Sequence, residues 1–97
     1  MTATDELTVN SVVRRCDAPL STEVDGETML MSIDNGQYYG LDEIGSEIWR
    51  RLASPVGVDV ICRGLGEIYD GDPAQIEQDV LALLTRLREE RLIEIAA

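Results

Sequence analysis

The chain has 97 residues, a net charge of −11 and 44% hydrophobic residues. This length suits one small domain with a modest core and little room for a deep enzyme pocket. All eight basic residues are Arg, with no Lys or His, so the acidic surface would repel the phosphates that dominate nucleic-acid binding. Such a surface suits solubility or a positively charged partner.

The composition also disfavours membrane, secreted and metal-binding proteins. No run of about 18 apolar residues could span a membrane, and residues 1–10 lack the basic-then-apolar order of a secretory signal. Cys16 and Cys62 lie far apart, and without His they cannot complete an ordinary zinc site. We therefore expect a reduced, cytoplasmic, monomeric protein with no metal or other cofactor, and a Cys16–Cys62 disulfide stays open as the alternative.

Residues 1–17 have mixed polarity and no sustained period. Residues 8–13 have the composition of a short strand, but we expect 1–17 to form a flexible or edge-lying N-terminal lead. The domain itself is then predicted over residues 18–97.

Three strands are predicted next, at residues 20–24, 28–33 and 37–41. The turn signals Asp25-Gly26 and Asp34-Asn35-Gly36 separate them. Two tight turns in succession predict an antiparallel meander with 28–33 in the middle, so the strand at 37–41 has an unpaired edge unless other chain covers it. Within the middle strand, one face carries Met29, Met31 and Ile33, and the other carries Thr28, Leu30 and Ser32.

Three helices are predicted after the sheet, so the expected fold is an α+β winged helix-turn-helix. The first begins after the N-cap Asp42, the second covers 58–69, and the third runs over 73–90 after the N-cap Asp72. Residues 92–95 close the chain as a short strand or a packed tail. The predicted buried stripes are Ile44, Ile48, Trp49 and Leu52; Val58, Ile61, Leu65, Ile68 and Tyr69; and Ile76, Val80, Leu83, Leu84 and Leu87.

Gly64 and Gly66 weaken the second helix by up to about 1 kcal/mol each relative to Ala. Either they permit the close approach of another helix, or the helix is short.

Catalytic and metal-binding patterns are nearly absent. Without His, Ser and Cys nucleophiles lack their commonest base. The run Asp70-Gly71-Asp72 lacks the ligand ladder of an EF-hand, and Pro73 explains it as a helix boundary. We expect no catalytic residues and no enzyme; a small enzyme that depends on Cys62 or a carboxylate is a remaining alternative without a substrate to propose.

A winged helix raises the alternative of a DNA-binding regulator. Its recognition helix would be residues 73–90, which hold Glu77, Asp79, Glu89 and Glu90 against Arg86 and Arg88. The first two turns hold no basic residue, although a recognition helix reads bases with its N-terminal part. Nucleic-acid binding is therefore disfavoured.

An exposed strand edge beside a leucine-rich helix is the geometry for binding a peptide as an added strand. On these residues alone two interpretations stay open. Either the strand and the third helix form a peptide groove, or Val80, Leu81 and Leu84 only complete the core and residues 1–17 cover the edge.

The residues Gly36-Gln37-Tyr38-Tyr39-Gly40-Leu41-Asp42-Glu43-Ile44-Gly45 and Ile48-Trp49-Arg50-Arg51-Leu52 resemble the PqqD-like family. The later spacing of Ile61, Leu65, Tyr69-Asp70, Asp79-Val80, Leu84, Leu87 and Leu92-Ile93 is similar too. These are leader-recognition domains of ribosomally made, modified peptides, and the likeness is greatest to the stand-alone leader-binding proteins of lasso-peptide pathways. Asp42 replaces a frequent Asn, and both cap helices.

The resemblance implies a non-catalytic peptide chaperone with three strands and three helices. It would bind the leader of a precursor peptide along the third strand and hand it to a leader peptidase and, in lasso pathways, a cyclase. The implied peptide-binding residues are Gln37, Tyr38, Tyr39 and Gly40 on the strand and Ile76, Asp79, Val80, Leu83 and Leu87 on the third helix.

Overall fold

The computed structural model describes residues 7–16, 20–33 and 36–96, which form two three-stranded sheets and three helices. The strands are β1 (Val12–Arg15), β2 (Leu20–Val24), β3 (Glu27–Met31), β4 (Tyr38–Gly40), β5 (Val56–Gly57) and β6 (Ile93–Ala96). The helices are α1 (Glu43–Arg51), α2 (Val58–Ile68) and α3 (Pro73–Glu89). The predicted α+β class with three helices is confirmed.

The predicted meander is the sheet with strand order β2-β3-β4. Asp25 and Gly26 join β2 to β3 with φ angles of 53° and 84°. Positive φ at both central residues suits a hairpin, because the twist of such a turn matches the twist of the two strands. Asp34 and Asn35 of the second predicted turn lie outside the described residues.

A second sheet, with order β5-β1-β6, was not predicted. Its middle strand is β1, which pairs with β5 through Val13 opposite Val56 and with β6 through Val13 opposite Ile95. Val13 is fully buried. Residues 7–16 therefore pack into the domain, which corrects the expectation of a flexible or edge-lying lead for that part. Residues 1–6 and the predicted boundary at 17–18 lie outside the described residues.

The helices begin at the predicted caps. The Asp42 carboxylate accepts a hydrogen bond from the Gly45 N–H at 2.8 Å, and the Asp72 carboxylate accepts one from the Ala74 N–H at 3.1 Å. Both bonds satisfy an amide that the first turn of a helix leaves without a partner. Ile44 and Ile68, predicted on buried stripes, are 42% and 54% exposed, since each lies at the margin of its helix's buried face.

The core draws on both sheets and all three helices. Its buried hydrophobic residues are Val13, Leu30, Leu41, Ile48, Trp49, Leu52, Val58, Ile61, Leu65, Val80, Leu84, Leu87, Leu92 and Ile93. Gly64 on α2 leaves room for the guanidinium of Arg51, which meets the place where a Cβ would stand. This glycine thus permits the close approach that the sequence suggested, whereas Gly66 faces open space.

No helix within the described ranges is both long enough and apolar enough to cross a membrane. Cys16 and Cys62 are not joined by a disulfide.

Candidate functional site

The outer side of β4 is an open strand edge. The Leu41 N–H donates to the Thr28 carbonyl at 2.8 Å, and the Gln37 carbonyl accepts a hydrogen bond at 2.9 Å from the chain after β3. Since neighbouring residues of a strand point their backbone groups to opposite sides, Tyr38 and Gly40 direct their N–H and C=O groups away from β3. No strand in the described part of the chain pairs with that side.

A groove of about 330 Å³ runs between β4 and α3. The strand side of the groove supplies Tyr38, Tyr39, Gly40, Leu41, Asp42 and Gly45, and α3 with its C-cap supplies Leu83, Arg86, Leu87 and Glu90. Leu83 is half-buried and Leu87 is buried. The groove therefore joins an apolar floor to one cation, two carboxylates and an edge of backbone donors and acceptors.

Tyr39 crosses the groove from β4 to the end of α3. Its hydroxyl lies 2.7 Å from Glu90 Oε1 and 3.1 Å from Gln37 Oε1. The hydroxyl has one proton, and the carboxylate is the stronger acceptor, so the bond to Glu90 determines the position of the ring. Glu90 is the C-cap of α3. This bond fixes the spacing between the strand and the helix at one end of the groove.

Ser46 of α1 forms hydrogen bonds with both β3 and the residue after β4. It is fully buried on α1. Its hydroxyl accepts from the Thr28 N–H at 2.8 Å and donates to the Leu41 carbonyl at 3.2 Å. Thr28 and Leu41 are opposite each other where β3 begins and β4 ends, so α1 adds hydrogen bonds at that end of the β3–β4 ladder. The position of the open strand β4 is therefore fixed in part by a buried residue of α1.

Of the predicted site residues, Tyr38, Tyr39, Gly40, Leu83 and Leu87 line this groove. Gln37 lies just before β4, with its side chain at the Tyr39 hydroxyl. The structure brings these residues together from two elements that are more than forty positions apart in the chain.

The other predicted site residues lie elsewhere. Val80 is 1% exposed and belongs to the core, and Ile76 lines a separate cavity with Cys62 of α2. Asp79 is exposed and accepts a hydrogen bond from the Gln75 amide at 3.0 Å. The groove thus spans only the C-terminal half of α3, because the N-terminal half packs against α2.

Five further residues line the groove and were not predicted as site residues: Leu41, Asp42, Gly45, Arg86 and Glu90. Arg86 and Glu90 follow Leu83 by three and seven residues, which places them on the same face of α3. That spacing is a signal which could have found them. Asp42 was assigned only to the start of α1 and Gly45 had no assigned role; their place in the groove depends on where α1 meets β4.

The lining of the groove contains no His, Cys or Ser side chain. Within the described ranges, no three His, Cys, Asp or Glu side chains come close enough together to hold a metal ion. Main-chain groups at an open strand edge, together with apolar side chains, can bind an extended chain.

The fold and the groove define the class of protein: a small winged-helix α+β domain with an open strand edge beside a helix. The chain belongs to the PqqD family, since the family model described as coenzyme PQQ synthesis protein D (PqqD) matches residues 27–93. A comparison with curated proteins finds no match.

The chain is similar to three solved structures. TbiB1, in complex with the TbiA(beta) leader peptide, is 31% identical, with a TM-score of 0.80 over 87% of this chain and 98% of that chain. Lasso peptide synthetase B1, complexed with the leader peptide, is 22% identical, with a TM-score of 0.71 over 84% and 95%.

The third structure is the PqqD truncation of Methylobacterium extorquens PqqCD. It is 24% identical, with a TM-score of 0.77 over 93% of this chain and 96% of that chain. It is described as a functional, stand-alone recognition element for ribosomally synthesised and post-translationally modified peptides. At this identity, the PqqD truncation and the lasso peptide synthetase B1 show a shared fold.

Proposed function

We propose that this protein is a non-catalytic adapter that binds the leader of a precursor peptide as a strand added to β4. The observation that carries the proposal is the outward direction of the Tyr38 and Gly40 backbone groups beside the groove. The likeness to TbiB1, a structure in complex with a leader peptide, supports it at 31% identity.

In this mechanism the leader extends the sheet by one strand. Its backbone exchanges hydrogen bonds with Tyr38 and Gly40, which provides affinity without demanding a sequence. Alternate side chains of the leader point toward α3 and enter the groove, where Leu83 and Leu87 offer apolar contact. Arg86 at the groove selects for a carboxylate or a carbonyl on the peptide.

The adapter then delivers the bound leader to maturation enzymes, a leader peptidase and, in lasso-type pathways, a cyclase. We infer that it works as a cytoplasmic monomer in which both thiols stay reduced. We infer no nucleic-acid partner, because Glu77 and Asp79 occupy exposed positions in the first turns of α3, where a recognition helix needs donors to phosphate.

The first experiment measures binding of a fluorescein-labelled synthetic peptide that carries the leader of the precursor encoded beside this chain. Leu83→Arg should lower the affinity about tenfold or more, because a charge replaces an apolar wall of the groove. Gln78→Arg makes a matched charge change at an exposed position of α3 and should leave the affinity unchanged. Absence of binding to the unmodified protein, or an equal loss in both variants, contradicts the proposal.

The second experiment tests strand addition itself. The leader peptide is made with single N-methylated amides, one position at a time. Methyl groups on amides that face β4 remove hydrogen bonds, whereas those on the intervening amides face away, so inhibition should recur at every second residue. Inhibition without that period would show that the leader binds in another conformation.

A further inference from the structure

The sheet β2-β3-β4 has an apolar outer face. Cross-strand pairing places Leu20, Thr22, Val24, Met29, Met31 and Tyr38 on this face, opposite to the buried side of Leu30, with the exposed Glu27 at its far end beside Val24. Leu20 and Val24 are each 55% exposed and Tyr38 is 69% exposed. A solvated sheet face normally carries polar side chains, so an apolar face of this kind marks an interaction surface.

This outer face is continuous with the peptide groove. Tyr38 lines both the groove and a shallow depression on the outer face that Met29 and Met31 also line. Whatever binds at the open edge of β4 therefore comes within reach of the outer face.

Gly40 forms a gap in the outer face beside the open edge. A Cβ at this position would stand 3.5 Å from Met29 Sδ and would meet no other atom within 4 Å. The Met29 side chain thus reaches over Gly40 toward the edge, and Tyr38 stands two residues away on the same face. Since Gly40 has no side chain, the outer face beside it is bordered by the Met29 sulfur and, two residues along β4, by Tyr38; we call this place the notch.

We propose that this notch receives a large apolar side chain of the bound leader, aliphatic or aromatic. The inference rests on the proposed strand addition, and it specifies which kind of leader side chain the site would select. Because Gly40 directs both backbone groups to the open edge, one leader residue pairs with it directly. Side chains of directly paired residues share a face, so that leader side chain points outward, over the gap at Gly40.

The leader is therefore read on both faces. Residues that alternate with the one opposite Gly40 enter the groove toward Leu83 and Leu87, and the one opposite Gly40 packs on Met29 and Tyr38. Thioether and aromatic surfaces suit such a residue, since Met adapts to varied shapes and makes favourable contacts with aromatic rings. If only the groove contacted the leader, the affinity would not depend on the leader side chains that point outward.

The test adds side-chain volume to the protein at Gly40 and removes it from the peptide, and binding is again measured with the fluorescein-labelled leader. Gly40→Val fills the notch without touching the outward backbone groups and should weaken binding about tenfold. An alanine scan of the leader should contain one position at which truncation weakens binding to the unmodified protein and restores binding to Gly40→Val. Met29→Ala should weaken binding about threefold and lose its effect against that same truncated leader.

Val24→Ala is the matched control and should leave binding unchanged, since Val24 shares the outer face but lies on β2, two strands from the open edge and opposite Glu27 rather than Met29. Circular dichroism establishes that each variant folds.

A leader that does not bind the unmodified protein overturns both the proposed function and this inference. Binding that ignores Gly40→Val and Met29→Ala overturns this inference alone. If these variants instead block cleavage by the leader peptidase while binding is normal, the outer face belongs to the enzyme and the notch does not read the leader.

Discussion

The Tyr39 hydroxyl donates a hydrogen bond of 2.7 Å to the Glu90 carboxylate, which joins the open strand β4 to the C-cap of α3. These residues lie on the two elements that form the groove. The spacing of the groove at this end thus depends on one charge-assisted bond in addition to apolar packing.

Tyr39→Phe removes this bond and keeps the ring. We expect the free energy of unfolding to fall by about 1 kcal/mol, because the bond is only partly buried and water can solvate the released carboxylate. Urea denaturation measures the change, and leader affinity should fall with it. Tyr38→Phe is the control, since the exposed Tyr38 makes no described hydrogen bond, and its stability should match that of the unmodified protein. Equal effects of the two changes would contradict a role for the Tyr39–Glu90 bond.

Ser46→Ala leaves the Thr28 N–H without its acceptor in a buried environment. We expect a loss of about 2 kcal/mol in the free energy of unfolding. Hydrogen exchange should accelerate at the Thr28 and Leu41 amides, where β3 begins and β4 ends. Ser54→Ala, at an exposed position after α1, should change neither quantity. Unchanged exchange in Ser46→Ala would mean that α1 does not support the open strand.

The two glycines of α2 should respond differently to alanine. Gly66 faces open space, so Gly66→Ala should stabilise the protein by about 0.5–1 kcal/mol through helix propensity. Gly64→Ala should stabilise it less, because the new methyl group displaces the Arg51 guanidinium, which pairs with Glu47 at 3.1 Å. In an Arg51→Ala background the two gains should become equal, as thermal or urea denaturation can measure. A full gain from Gly64→Ala in the native background would disprove the steric explanation.

Burial raises the pKa of the Cys62 thiol, and the negative charges of Glu77 and Asp59 raise it further. The unfolded chain therefore releases the thiol proton first as pH rises. The stability that Cys62 contributes is complete below the unfolded pKa and declines as pH rises through the folded one. Cys62→Ala should flatten that alkaline decline in urea denaturation curves.

The same raised pKa predicts slow alkylation. In a Cys16→Ser background at about pH 8.5, iodoacetamide should react more slowly with folded protein than with urea-unfolded chain, since the thiolate is the nucleophile. Glu77→Gln should speed the folded reaction, and Asp79→Asn should not, because Asp79 does not line the Cys62 cavity. Equal folded and unfolded rates would contradict the prediction.

Local patterns in the sequence accounted for much of the fold. Asp42 and Asp72 begin helices because their carboxylates satisfy amides only a few residues away. Asp25-Gly26 turns the chain because both residues tolerate positive φ. Of the predicted site residues, Tyr38, Tyr39, Gly40, Leu83 and Leu87 line the groove, and that they bind a peptide stays a prediction.

Three predicted site residues of α3 lie in three different surroundings. Ile76, Val80 and Leu83 share one apolar stripe of α3, and periodicity cannot tell which partner each part of a stripe meets. Ile76 lines a cavity against α2, Val80 enters the core, and Leu83 opens to the groove.

The sequence by itself determined where the turns and helix caps lie. It also determined that the strand before α1 is the last of the meander, with one side not paired within it. Only the tertiary structure decided that β1 joins β6, about eighty residues later in the chain, which leaves β4 open. Caps and turns depend on bonds between near neighbours, which a sequence displays. Pairing between distant strands depends on which buried faces meet, and this is settled only when the whole core packs.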